Sequence, residues 1–176
     1  MPDLTPSVDL LLLLIILILG LAFDFINGFH DTANAVATVI STRVLPPTFA
    51  ILMCAVLNFA GAFFSQNVAK TIAKGLIDAH AATQEVILAA IIGAIAWNVL
   101  TWYFGIPSSS SHALIGGLVG ATLVFAGTHA VIWKGVMDKV ILPMVLSPVI
   151  GGVIAFSLMM LLFALFANTR PAKVNG

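Results

Sequence analysis

Five blocks of apolar residues, separated by short polar or proline-containing breaks, dominate this chain and restrict what it can fold into. They run over 10–23, 48–64, 86–104, 113–126 and 140–167. A helix crossing the hydrocarbon layer of a bilayer needs about 20 mainly apolar residues. The 86–104 block reaches that length alone, and the others draw on less apolar flanks or contain breakers. Charge points the same way, because only 8% of the 176 residues are charged, against roughly 25% in a soluble domain. The expectation is an all-α, polytopic membrane protein. Residues 1–176 form a single transmembrane domain with about five membrane segments, some of them discontinuous or re-entrant helices.

Several function classes drop out early. Seven basic residues balance seven acidic ones, so nothing suggests a surface for nucleic acid or another polyanion. Cys54 stands alone in an apolar run and offers no disulfide framework. No glycine-rich cofactor fingerprint opens a helix after a strand, and no tight His/Cys/Asp set marks an enzyme's metal site or nucleophile. The expectation is a protein that is not an enzyme and has no cofactor, catalytic residue or identifiable metal site. The leader MPDLTPSVDL holds Asp3 and Asp9 but no basic residue, which reads as a retained first helix rather than a signal peptide.

Along the chain, the first stem runs into DFINGFHDTANAVATVISTR, residues 24–43. That stretch is expected to break at Asn27–Gly28 and to turn helical again from Thr32. Pro46 and Pro47 should end it, since proline lacks the amide donor and clashes with the preceding turn. After the second span, residues 67–85 read as an interfacial segment with Lys70 and Lys74 on one face. Gly105-Ile106-Pro107 should break the third helix before SSSSHALIGGLVGATLVFAG. His129, Lys134, Asp138 and Lys139 read as a polar connection. The last block, about 28 residues or roughly 42 Å of helix, should be kinked or divided by Pro143 and Pro148. Arg170 and Lys173 near the C-terminus favour an outside N-terminus and an inside C-terminus. Lys70 and Lys74 argue against that orientation.

Two stretches carry chemistry. Asp24, Asn27, His30, Asp31 and Asn34 fall within eleven residues. At membrane depth such a cluster needs a water-filled cavity, an ion or mutual pairing, unless Asp31 is merely a polar residue at a helix end. Asp31 or Thr32 is expected to cap the half-helix that follows the break. In the second stretch, Pro107 precedes Ser108, Ser109, Ser110 and Ser111. Hydroxyls and free amides at one helix start can hold phosphate or sulfate without a lysine, although one of these serines would suffice as a plain cap. His112 either donates to the anion or is a satisfied imidazole. Gly116, Gly117 and Gly120, three or four residues apart, have the spacing for close helix contact in lipid, or for ordinary small-residue packing unrelated to a ligand. Asn58 and Asn98 are expected to hydrogen-bond between helices, with Asn58 able to reach the cavity. Opposed half-helix starts around an anion suit a secondary transporter. A carboxylate there repels the anion unless a cation enters with it, which points to Asp31 taking Na⁺ or H⁺.

NGFHDTANAVATVISTRVLPP and GIPSSSSHALIGGLVGA closely resemble the two characteristic stretches in the N-terminal half of the PiT family of inorganic phosphate transporters. NFAGAFFSQNVAKTIAKG, residues 58–75, resembles the segment between them, and the likeness covers most of residues 10–165. It is nearer to the bacterial low-affinity members, which carry His-Asp where many relatives have Asn-Asp. The resemblance implies symport of phosphate, or of a neutral metal–phosphate complex, with H⁺ or Na⁺ across the bacterial cytoplasmic membrane. It assigns Thr32, Asn34, Ser108, Ser109, Ser110, Ser111 and His112 to phosphate, and Asp31, Asn34 and His30 to the coupled cation. Family members have two inverted halves, each with its own motif pair, and nothing after residue 112 repeats either pattern. The expectation is therefore one inverted-repeat half that needs a second half or an oppositely oriented copy. The competing readings are a channel and a non-transporting fragment or accessory membrane subunit.

Overall fold

The structure is a computed structural model and describes residues 6–63 and 75–167. The expectations for Asp3, Lys70, Lys74, Arg170 and Lys173 lie outside the described residues, as do residues 64–74 of the family-like segment 58–75. The chain divides after Ile132 into two compact units, and its long elements are all helices: α1 (Pro6–Ser41), α2 (Pro47–Ala62), α3 (Gln84–Tyr103), α4 (Ser110–Ala126) and α5 (Trp133–Phe166). Among the described residues, each of the five apolar blocks is therefore helical apart, at most, from its end. By length and composition α1, α3 and α5 can cross a membrane, whereas α2 and α4 are shorter.

The first helix departs from expectation. It runs through 36 residues without interruption, about 54 Å at 1.5 Å per residue. The polar stretch 24–34 is thus the middle of a helix rather than a break. Glycine inside a helix costs only about 1 kcal/mol, and residues 24–41 contain no proline to remove a donor. In an apolar surrounding every backbone group must be paired, which favours continuing the helix. Thr32 accordingly caps nothing: its hydroxyl donates to the Gly28 carbonyl at 2.6 Å. Asp31 also sits mid-helix.

The helix ends at Ser41. Arg43 takes the left-handed conformation (φ 58°), and bonds from Arg43 N to Ile40 O and Val44 N to Val39 O close the end. Two prolines follow as the sequence suggested, with Pro46 before the first turn of α2 and Pro47 inside it. There the missing amide costs nothing, because the first turn has no acceptor to offer it. Val36 of α1 packs against Ala50 and Cys54 of α2, with Ile40 and Leu45 around them. Phe29 of α1 meets Trp102 of α3 edge to face, with centroids 5.7 Å apart.

α3 and α4 form an antiparallel hairpin. α3 closes at Gly105, whose φ of 64° suits a residue without Cβ, and Ile106 N bonds back to Thr101 O at 2.8 Å. Residues Val86, Ala90, Ala94, Asn98 and Thr101 make the buried stripe of α3. The close approach to α4 is at Gly117, where a Cβ would lie 2.5 Å from the Ala90 carbonyl oxygen. Gly116 and Gly120, expected at that contact, have nothing within 4 Å. Beyond the hairpin, Leu76–Asp78 and Ala130–Ile132 are tied by an Ile77–Val131 bridge and by bonds of 2.8 and 2.9 Å.

In the second unit, α5 is one helix that begins at Trp133, earlier than the polar connection suggested. Lys134 pairs with Asp138 at 2.6 Å one turn on. The expected division at the prolines does not occur. Residues Met137–Ile141 widen into a π-helical turn just before Pro143, and Pro148 lies within the following regular helix. A π turn shifts the bonding register, which accommodates the donor that Pro143 lacks.

Candidate functional site

The serine turn is held by the end of α3 on one side and the start of α4 on the other. Ser108 Oγ lies 3.3 Å from Thr101 Oγ1, a hydroxyl that also donates to carbonyls of its own helix. Ser109 is the N-cap of α4, its Oγ accepting from His112 N at 3.3 Å. The same Oγ lies 2.8 Å from His112 Nδ1. With the proton on Nδ1, the backbone N–H and Nδ1–H of His112 both donate into Ser109 Oγ, leaving the serine proton free to point outward. One serine caps, as in the plain-cap reading, but the others are not spent on capping. Among the described residues no acceptor meets the amides of Ser110 or Ser111. Ser110 Oγ is buried without a partner, while Ser111 is exposed.

Ser109 and His112 border an open cavity of about 450 Å³, walled by Gly93 and Trp97 of α3 and by Ala113 and Gly116 of α4. Its polar groups come from the serine turn and its wall is otherwise apolar or glycine. Replacing Ser109 with alanine should cost about 1 kcal/mol of stability, the usual worth of an N-cap, read as a lower midpoint in detergent unfolding.

The α1 cluster is arranged differently. His30 is buried, with Nδ1 unpartnered among the described residues. Asp31 and Asn34 are exposed, and no described residue pairs with either. Thr32 is half-buried: its proton goes to Gly28, and its oxygen lies 3.9 Å from Cys54 Sγ. Asn58 donates to the Cys54 carbonyl at 2.9 Å and to Cys54 Sγ at 3.2 Å. Both bonds stay within α2, so Asn58 does not make the interhelical bond expected of it; the contact with α1 is made by Cys54 Sγ. Asn98 does not make one either: it is wholly buried and neither side-chain polar atom has a partner among the described residues.

No hydrogen bond or ion pair among the described residues joins His30–Asn34 to Ser108–His112. α1 meets the hairpin chiefly through α3, as in the Phe29–Trp102 contact. Sequence reasoning missed Trp97 as a cavity wall and Thr101 as the anchor of Ser108. The polar Asn98 and Thr101 in an otherwise small-residue stripe were the available signal.

The profile of the phosphate transporter family matches residues 27–175. A probable low-affinity inorganic phosphate transporter of Streptomyces halstedii is 51% identical over 172 residues, covering 97% of this chain and 80% of that protein. Its counterpart in Mycobacterium bovis is 56% identical over 145 residues, covering 82% of this chain but 35% of that protein. A solved structure, the sodium-dependent phosphate transporter, superposes with a TM-score of 0.81 at 34% identity. The likeness spans 92% of this chain and 42% of that one.

Proposed function

Because this chain belongs to the phosphate transporter family, we propose that it carries inorganic phosphate across a membrane together with H⁺ or Na⁺. The observation that carries this reading is the open start of α4, where Ser109 and His112 border a cavity and the adjoining Ser110 and Ser111 amides meet no acceptor among the described residues. Such a helix start neutralises an anion without a lysine. Ser108, Ser109, Ser110, Ser111 and His112 hold phosphate. Asn34 reaches it from α1, and Thr32 does so when its hydroxyl leaves the Gly28 carbonyl. Asp31, with Asn34 and His30, takes the cation that screens the phosphate charge.

Asp31 and Asn34 are exposed on an apolar helix and pair with no described residue. A carboxylate at membrane depth is tolerated where a partner or an ion meets it. That supports a second half, supplied by another chain or by an oppositely oriented copy, facing this surface. The single transmembrane domain is then one side of a site closed by the other.

Labelled-phosphate uptake into proteoliposomes tests this. Saturable uptake by the chain alone supports assembly with itself. Uptake that appears only after adding the C-terminal half of a full-length relative supports a separate second half. No uptake under either condition from folded protein overturns the proposal. Removing Na⁺ and collapsing the pH gradient in separate arms identifies the cation. Dependence on added Mg²⁺ identifies transport as a metal–phosphate complex.

A further inference from the structure

Asn98 has no role in the cluster or the serine turn so far described, yet its burial is complete. It is 0% exposed, and both Oδ1 and Nδ2 lack a hydrogen-bond partner among the described residues. Such groups are nearly always paired in native proteins, so an orphan calls for an explanation. The rest of its stripe on α3 is Val86, Ala90 and Ala94 at four-residue steps, then Thr101. Those positions make an apolar contact with α4 that a leucine or alanine at 98 would continue.

The register of the hairpin identifies what Asn98 faces. Ala90 approaches Gly117 at one end of the contact, and Thr101 meets Ser108 at the other. Counting eight residues along each arm from Ala90–Gly117 pairs Asn98 with Ser109, and counting three from Thr101–Ser108 pairs it with Ser111, so Ser110, midway between them, lies at the level of Asn98. Ser110 is 1% exposed, and its Oγ is likewise without a partner. Two orphan polar side chains therefore stand level, one on each arm of the hairpin, directly below the Thr101–Ser108 pair.

We infer that Asn98 is a positioning residue for the serine turn, acting through Ser110. In the closed turn its Nδ2 donates to Ser110 Oγ, directly or through one water. The serine proton is then free to donate onward to the anion. The bond orients the Ser110 and Ser111 amides and polarises the hydroxyl, since hydrogen bonds in a chain strengthen one another. This inference rests on the reading of the turn as the phosphate site. A purely structural Asn98 would instead find its partner elsewhere and leave the turn indifferent to its replacement.

The test uses the whole chain in lipid nanodiscs with Asn98→Leu, Ser110→Ala and the double variant. Amide exchange over residues 108–113 and labelled-phosphate binding are measured for each, beside thermal unfolding. Asn98→Leu should unfold at the same or a higher temperature, since an apolar side chain of similar size replaces an unpaired amide. Exchange in 108–113 should nevertheless rise about tenfold as the turn loosens. Phosphate affinity should fall about tenfold in each single variant and no further in the double, the mark of two groups acting as one. Unchanged exchange and affinity in Asn98→Leu, or losses that multiply in the double variant, would overturn the inference. If Asn98→Leu does not fold, Ser110→Ala decides by exchange, and an unaltered rate overturns it. If the wild-type chain binds no phosphate, the phosphate reading of the turn fails. The exchange result still decides whether Asn98 positions it.

Discussion

Asp31→Asn should lower the initial rate of phosphate uptake about 100-fold or more while leaving the protein as stable as before, or more so. The substitution keeps the shape of the side chain and most of its hydrogen bonding, and removes only the charge. Asp31 is exposed in the middle of α1, so no fold contact is lost. An uncompensated carboxylate there is a burden on the folded state that a coupled cation relieves. Function and stability should therefore move in opposite directions. Uptake and detergent unfolding measured on the same preparation check both signs. A variant that transports normally removes Asp31 from the cation site. One that unfolds earlier makes it a structural residue.

Gly117→Leu should be the most damaging single change in the hairpin, lowering stability by about 2–4 kcal/mol. A Cβ at that position would stand 2.5 Å from the Ala90 carbonyl oxygen and 3.3 Å from the Ala90 carbonyl carbon and Cα. These are backbone atoms of another helix, which cannot swing aside, so α3 and α4 must separate along their contact. Separation also pulls apart Thr101 and Ser108, and with them the anchor of the serine turn. Gly116→Ala and Gly120→Ala meet nothing within 4 Å and should be neutral, or stabilising by up to about 1 kcal/mol through helix propensity. Denaturant midpoints of the three variants in one detergent check the order. Equal losses at all three positions would contradict the contact at Ala90.

Both changes show where sequence patterning runs out. The residues 116, 117 and 120 all lie on small-residue faces of one helix, and the sequence pointed to all three by spacing without choosing among them. Which glycine touches α3 depends on the register between two helices, fixed by the Gly105 turn and by packing far along the chain. The same holds for Asn98, whose side chain reads as an interhelical hydrogen-bonder until burial without a partner is seen. In α1, local cues at Asn27 and Gly28 favoured a break. The helix continued because their cost, about 1 kcal/mol for the glycine, is less than that of leaving backbone groups unpaired in an apolar setting.

The sequence by itself determined what rests on local composition and covalent chemistry. Apolar blocks become helices because lipid leaves backbone groups no other partner. Pro46–Pro47 and Gly105 mark breaks because their backbones cannot continue a helix or can leave it at positive φ. Four serines at a helix start announce an anion-compatible turn. Only the tertiary structure decided that Asp31 and Asn34 face outward while His30 faces the other helices. It also decided that Gly117 carries the contact and that Asn98 stands level with Ser110. Each of these is a question of which face meets which, and that depends on residues distant in sequence packing together, which no local pattern encodes.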